Sequence, residues 1–154
     1  MPIAVVDGDL LDQPVDAVVN PWNRNTIPWW LLLPQGVSGA IKKRAGTQPF
    51  RDLREHGRMK LGQAIATSAG SLPFEAIIHV AGINDVWRAT EDSIRSSVRN
   101  SLALANEMGL KSLAIPLIGA GSGSFDAAKS EAIILDELQV LAPALDVRIV
   151  RYRR

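Results

Sequence analysis

The apolar run Leu113-Ala114-Ile115-Pro116-Leu117-Ile118 passes directly into Gly119-Ala120-Gly121-Ser122-Gly123-Ser124-Phe125, and a helical pattern begins at Ala127. Three glycines within five residues let the backbone take positive φ and come close to another molecule. A buried strand turning through such a loop into a helix is the building unit of layered α/β folds, whose ligands sit beyond the carboxyl ends of the strands. Successive N–H groups in that position, with the N-terminus of the next helix, hold an anion without any lysine. The loop is therefore read as a phosphate cradle, in preference to a merely flexible turn. It is not a P-loop, because the loop is followed by no lysine until Lys129. A dinucleotide fingerprint would need glycine at Ser124 and would open the first strand–helix unit of the domain.

The rest of the chain alternates in the same way. Residues 3–6 and 17–20 read as buried strands, the second introduced by Pro14-Val15-Asp16 and stopped by Pro21. Further strands are expected at 64–68, 76–81, 112–116 and 147–152. Helices are expected at 36–45, closed by Gly46, and at 50–56, ended by Gly57. The clearest helix is 91–108, with Thr90 as N-cap and Ile94, Val98, Leu102 and Ala105 at helical spacing, leaving Arg95, Arg99 and Glu107 outside. In the last helix, 127–141, the apolar side is Ile133, Ile134, Leu138 and Leu141. This order predicts a sheet layered between helices, an α/β/α sandwich.

The 154 residues suit one domain, with no linker to divide 1–154. Without cysteine there is no disulfide, thiolate metal site or cysteine nucleophile, and two histidines do not make a metal cage. No metal and no cofactor is expected. The start of the chain shows no signal-like pattern, and the apolar run at 27–34 is too short to span a bilayer, so no membrane partner and a cytoplasmic location are expected. A net charge of +1 advertises no polyanion. The clusters Lys42-Lys43-Arg44 and Arg148, Arg151, Arg153 and Arg154 are read as solvated faces rather than a nucleic-acid patch. The connection 21–35 holds three prolines and the tryptophans Trp22, Trp29 and Trp30, a composition suited to a functional loop or an apolar plug.

Six segments, in order, resemble the macro domain, the ADP-ribose-binding module. They are Gly8-Asp9-Leu10, the run from Val15 to Asn23, Gly36-Val37-Ser38-Gly39-Ala40-Ile41, Leu61-Gly62-Gln63-Ala64, Ile77-Ile78-His79-Val80-Ala81-Gly82, and Ile115 to Gly121. The resemblance covers nearly the whole chain. It implies a mixed, mostly parallel sheet of about six strands with ADP-ribose in a cleft at its crest. Asp9, beside Leu10, would accept from the adenine amino group, and Tyr152 would stack on the ring. Gly36, Val37 and Ser38 would line the diphosphate from one side, and Gly119, Ala120, Gly121, Ser122 and Gly123 from the other. Asn23 would contact the distal ribose, and Phe125 would pack against it unless it serves the core instead. His79, in an apolar strand, is read as structural.

The chain departs from the family's hydrolytic branches. Where one branch has Asn-Ala-Ala-Asn, a glycine run and Gly-Val-Asp-Gly, this chain has Asn20-Pro21-Trp22-Asn23, then Leu31-Leu32-Leu33-Pro34-Gln35, then Ser38 in the aspartate position. A second branch uses a lysine with an acid in the last glycine loop, where Gly123 stands. Serine is no general base at neutral pH without a partner. Asn23 is left as the candidate for placing a water that the bound diphosphate activates, with Asn84 and Asp85 as lesser candidates. Binding of ADP-ribose, or of ADP-ribosylated protein or nucleic acid, by a monomer is the leading expectation. Hydrolysis of mono-ADP-ribose, or of O-acetyl-ADP-ribose, is the alternative.

Overall fold

The chain forms β1 (Ile3–Gly8), a 3-10 turn (Leu10–Asp12), β2 (Ala17–Asn23), α1 (Gly36–Ala45), α2 (Gln48–Glu55), β3 (Ala64–Thr67), β4 (Ala76–Ile83), α3 (Glu91–Glu107), β5 (Ser112–Pro116), α4 (Ala127–Leu141) and β6 (Asp146–Tyr152). These are read from a computed structural model that describes residues 2–23, 36–57, 59–83, 89–120 and 125–152. The six strands make one sheet in the order β1-β6-β5-β2-β4-β3. Every neighbouring pair is parallel except β3–β4. The expected mixed, mostly parallel sheet is the one observed.

The pleat divides the strand side chains between two helical layers. Ala17 and Val19, Ile78 and Val80, Leu113 and Ile115, and Val147 and Ile149 join Ile94, Val98 and Leu102 of α3 and Ile134 and Leu138 of α4 in one core. Val18, Ile77, Ala114 and Val150 point the other way, onto Ile41 of α1 and Phe50 of α2. Full burial of each such aliphatic side chain contributes about 1.5–3 kcal/mol. Helix α3 starts as its sequence suggested: Thr90 Oγ1 accepts from Ser93 N at 3.0 Å, and Ser93 Oγ accepts from Thr90 N at 2.9 Å.

Four expectations need correction. Strand β1 is an edge strand with Ala4 and Val5 exposed rather than a buried one. Pro21 does not stop β2, which runs on to Asn23. Pairing of β2 with β5 ends at Val18, so the missing N–H of Pro21 costs no bond on that side, and a register shift follows between Pro21 and Asn23. Arg95 is not simply outward, because its NH1 reaches Asp136 at 2.7 Å and the buried Glu137 at 3.1 Å, tying α3 to α4. Leu141 is 36% exposed, past the end of the buried stripe of α4.

Sequence reading also missed a clasp where the parallel strands begin. Asp16 Oδ2 accepts from Lys111 N at 2.7 Å, its N–H donates to Ser112 Oγ at 2.9 Å, and its carbonyl accepts from Glu75 N at 2.8 Å. One residue thus aligns the starts of β2, β5 and β4. Among the described residues, no helix is long and apolar enough to cross a membrane, and no group of acidic or histidine side chains is arranged to hold a metal.

Candidate functional site

The carboxyl ends of β5 and β6 open into a crevice of about 820 Å³, a size that suits a nucleotide-sized ligand. Asp9 and Leu10 wall it on one side, Val37 and Ala40 of α1 on another, and Pro116, Leu117 and Ala120 along its floor. Arg151 and Tyr152 close the β6 end, with Glu131 of α4 beside them. A second, shallower groove of about 500 Å³ lies along the β3 edge, between Lys60, Leu61 and Asn100, and gathers none of the predicted site residues.

Asp9 follows the glycine that ends β1, where Gly8 holds φ at +151°. Its Oδ1 accepts from Leu11 N at 2.9 Å and so caps the 3-10 turn. The capping and ligand roles are compatible, because a carboxylate has a second acceptor oxygen. Oδ2 lies 3.9 Å from Arg44 NH1, and Arg44 NH2 also pairs with Asp12 at 2.9 Å. That places one member of the basic 42–44 cluster behind Asp9.

Ser38 lies in the first turn of α1, with 9% of its surface exposed. The first N–H groups of a helix have no partner within it, so Gly36, Val37 and Ser38 offer donors where α1 begins. On the opposite side, Gly119 holds φ at +81°, and a Cβ there would meet Ala89 Cβ at 2.5 Å and Phe125 Cβ at 3.2 Å. The glycine is needed for both conformation and space. Phe125 N donates to Gly119 O at 2.9 Å, closing the ends of the loop on each other. Phe125 packs on the α3–α4 core, the rival role raised for it from the sequence.

Of the predicted ligand residues, Asp9, Leu10, Val37, Ala120 and Tyr152 therefore share one crevice, with Tyr152 64% exposed at the strand end. Asn23 ends β2 and Gly36 opens α1, but their side-chain positions lie outside the described residues. Gly121, Ser122 and Gly123 lie outside them too, as do Trp29, Trp30, Asn84, Asp85, Arg153 and Arg154. Sequence reasoning did not foresee the Glu131–Arg151 pair, in which Arg151 NH2 reaches Glu131 Oε2 at 2.8 Å. Arg151 was grouped with the terminal basic cluster, and nothing in a 20-residue separation signals the contact. The hydrogen bond from Arg151 holds the Glu131 carboxyl below its usual range.

Beneath α1 lies a buried polar chain. Ser38 Oγ donates to Asn20 Oδ1 at 2.8 Å, and Asn20 Nδ2 lies 3.0 Å from His79 Nδ1. His79 Nε2 lies 2.7 Å from Thr67 Oγ1, which donates to Ser68 O at 3.1 Å. Asn20 and His79 are register partners on β2 and β4, so the pleat sends both toward the α1–α2 layer, where Phe50 packs edge-on to the imidazole at 6.1 Å. His79 is fully buried, and burial pushes its pKa from 6.5 down to about 3. It is thus neutral, as a structural histidine should be.

A pH dependence follows. Between about pH 6.5 and 3 the unfolded chain takes up a proton at His79 that the folded chain refuses. The stabilising effect is complete above pH 6.5 and is lost as pH falls toward 3, with a slope of up to about 1.4 kcal/mol per pH unit from this one group. Urea unfolding at pH 7, 6 and 5 should show His79→Gln with a shallower decline than the parent chain. Parallel declines would mean that this histidine does not carry the effect.

A family model for the Macro domain matches residues 19–134. Among similar proteins, an Escherichia fergusonii protein named O-acetyl-ADP-ribose deacetylase is 35% identical over 139 residues, covering 85% of this chain and 75% of that one. A Thermotoga maritima protein is 35% identical over 131 residues, 80% of this chain but only 21% of that much longer protein. The Trypanosoma brucei macrodomain, solved in complex with ADP-ribose, superposes with a TM-score of 0.82 at 26% identity, over 99% of this chain and 64% of that one.

Proposed function

Since the chain belongs to the macro domain family, we propose that its crevice binds ADP-ribose, free or attached to a macromolecule. The observation that carries this reading is the convergence of Asp9, the start of α1, Ala120 and Tyr152 on one crevice at the carboxyl ends of parallel strands. Asp9 takes the adenine amino group and Tyr152 covers the ring. The first turn of α1 and residues 119–123 hold the diphosphate from opposite sides through backbone N–H groups. Asn23 contacts the distal ribose. The T. brucei complex with ADP-ribose supports this assignment by likeness of fold.

A thermal-shift titration tests it directly. A ligand at 100 times its Kd stabilises the folded chain by about 2.7 kcal/mol. ADP-ribose should raise the Tm, whereas AMP at the same concentration should raise it less. No shift with millimolar ADP-ribose would end this reading.

A second reading is removal of ADP-ribose, or of its acetyl group, and the named deacetylase among the relatives favours it. Ser38 and Gly123 stand where the hydrolytic branches resembled carry acids, so water attack would rest on positioning by Asn23. Incubation with mono-ADP-ribosylated protein, ADP-ribosylated DNA and O-acetyl-ADP-ribose separates the two. Release of ADP-ribose or acetate above that from Asn23→Ala supports catalysis; none from any substrate leaves a binding module.

A further inference from the structure

The buried chain beneath α1 has a direction, and the direction determines what Ser38 can do. Thr67 spends its one hydroxyl proton on Ser68 O. Toward His79 Nε2, at 2.7 Å, it can then only accept, so Nε2 carries the imidazole proton. Burial keeps the ring neutral, so Nδ1 has no proton and accepts. The Asn20 group facing it at 3.0 Å must be the amide NH₂, which turns Oδ1 toward Ser38. Ser38 gives its only proton to that oxygen at 2.8 Å. Every bond in the series points the same way, from Ser38 inward.

We infer that His79 is a positioning residue, which acts through Asn20 to commit the Ser38 hydroxyl proton inward and leave Ser38 Oγ an acceptor-only group. A serine normally offers both a proton and lone pairs. Here the proton is committed inward, and only lone pairs remain for whatever lies above α1. Ser38 Oγ therefore offers no hydrogen bond to a phosphate oxygen, which is itself an acceptor. It accepts instead from a ribose hydroxyl or an ordered water. For a ligand held over the start of α1, this leaves the diphosphate to the backbone N–H groups of the first turn, and the Ser38 side chain to a hydroxyl donor. The sugar contact rests on the proposed ADP-ribose reading, whereas the proton order does not.

The same logic predicts a reversal. In Ser38→Asp the carboxylate has no proton to give, so Asn20 must turn its NH₂ toward residue 38 and its oxygen toward His79. Nδ1 must then carry the proton, Nε2 must accept, and the Thr67 hydroxyl must swing to donate to it.

Nitrogen-15 NMR of the imidazole in the ligand-free chain reads this out. The expected result is the Nε2–H tautomer in the parent protein and the Nδ1–H tautomer in Ser38→Asp, both neutral at pH 6–8. An Nδ1–H tautomer in the parent, or an unchanged tautomer in a folded Ser38→Asp, overturns the proposal. If Ser38→Asp does not fold, the parent spectrum alone decides. A ligand arm tests the crevice side: Ser38→Ala should lose about 2- to 12-fold in affinity for ADP-ribose, the worth of one neutral hydrogen bond, and keep its affinity for ADP, which lacks the distal ribose. Equal losses for both ligands would mean that Ser38 meets the diphosphate, and would overturn the proposal. If the parent chain binds neither nucleotide, the functional reading falls, and the tautomer measurement still decides the proton order.

Discussion

Asp9→Asn is expected to weaken ADP-ribose binding by about ten- to fiftyfold while leaving the Tm within a degree or two of the parent. The cap at the 3-10 turn needs one acceptor for Leu11 N, and asparagine serves as an N-cap about as well as aspartate. In the proposed complex the ligand needs a second acceptor, for the adenine amino group. A carboxylate supplies both; an amide supplies only one, and its NH₂ would face a donor whichever way it turned. The lost bond is charge-assisted, worth about 1.5–3 kcal/mol, and the lower part of that range applies because the Asp9 side chain is 35% exposed. AMP, which shares only the adenosine end, should weaken in the same proportion. Calorimetry with both ligands on both proteins checks this. Equal affinities in a folded Asp9→Asn would remove Asp9 from the adenine site.

Gly70→Ala is expected to be the most damaging single methyl addition at a described glycine, costing about 2–5 kcal/mol in urea unfolding. Gly70 lies in the turn before β4 with φ at +57°, where a side chain costs about 1–2 kcal/mol. Its Cβ would also press into the backbone carbonyl of Ala45 at the end of α1. That carbonyl cannot swing aside freely, because it accepts from Ser71 N at 3.0 Å. Overpacking of this kind adds about 1–3 kcal/mol. Gly109 has a similar φ of +72° but open space around its Cβ position. Gly109→Ala should therefore show only the conformational part, and equal losses at the two sites would contradict the steric account. The contrast matters for function because α1 supplies the first-turn N–H groups of the site, and the Gly70 turn buttresses its far end.

Much of this architecture was legible in the sequence where local chemistry decides it. Strand 112–116 and helix 127–141 appear with the expected limits, since a short apolar run bounded by glycines and a longer 3.6-residue stripe are told apart by length and flanking residues. Thr90 was recognisable as a cap because capping is a contact between near neighbours. His79 was recognisable as structural from its apolar strand alone.

Contacts between residues distant in sequence were not legible. Strand β2 passes Pro21 because the β5 partner has already ended, a matter of sheet register that residues 17–23 do not encode by themselves. Asp16 reads as a turn residue until β4 and β5 start beside it. Arg95 reads as a solvated charge until α4 brings Asp136 and Glu137 to it. The Ser38–Asn20–His79–Thr67 series needs α1, β2, β4 and β3 assembled before its direction has meaning. In the candidate site, the glycine loop that opens at Gly119 was visible in the sequence, but the crevice was not: its walls come from five separate stretches of chain.

Isothermal titration of the chain with ADP-ribose, beside AMP and a short oligonucleotide, shows whether the crevice at the ends of β5 and β6 takes ADP-ribose. The expected result is one saturable site per chain for ADP-ribose, weaker binding of AMP, and no oligonucleotide binding that survives moderate salt. Absence of saturable ADP-ribose binding by the folded chain, or oligonucleotide binding that exceeds it, would mean that the crevice is not an ADP-ribose site.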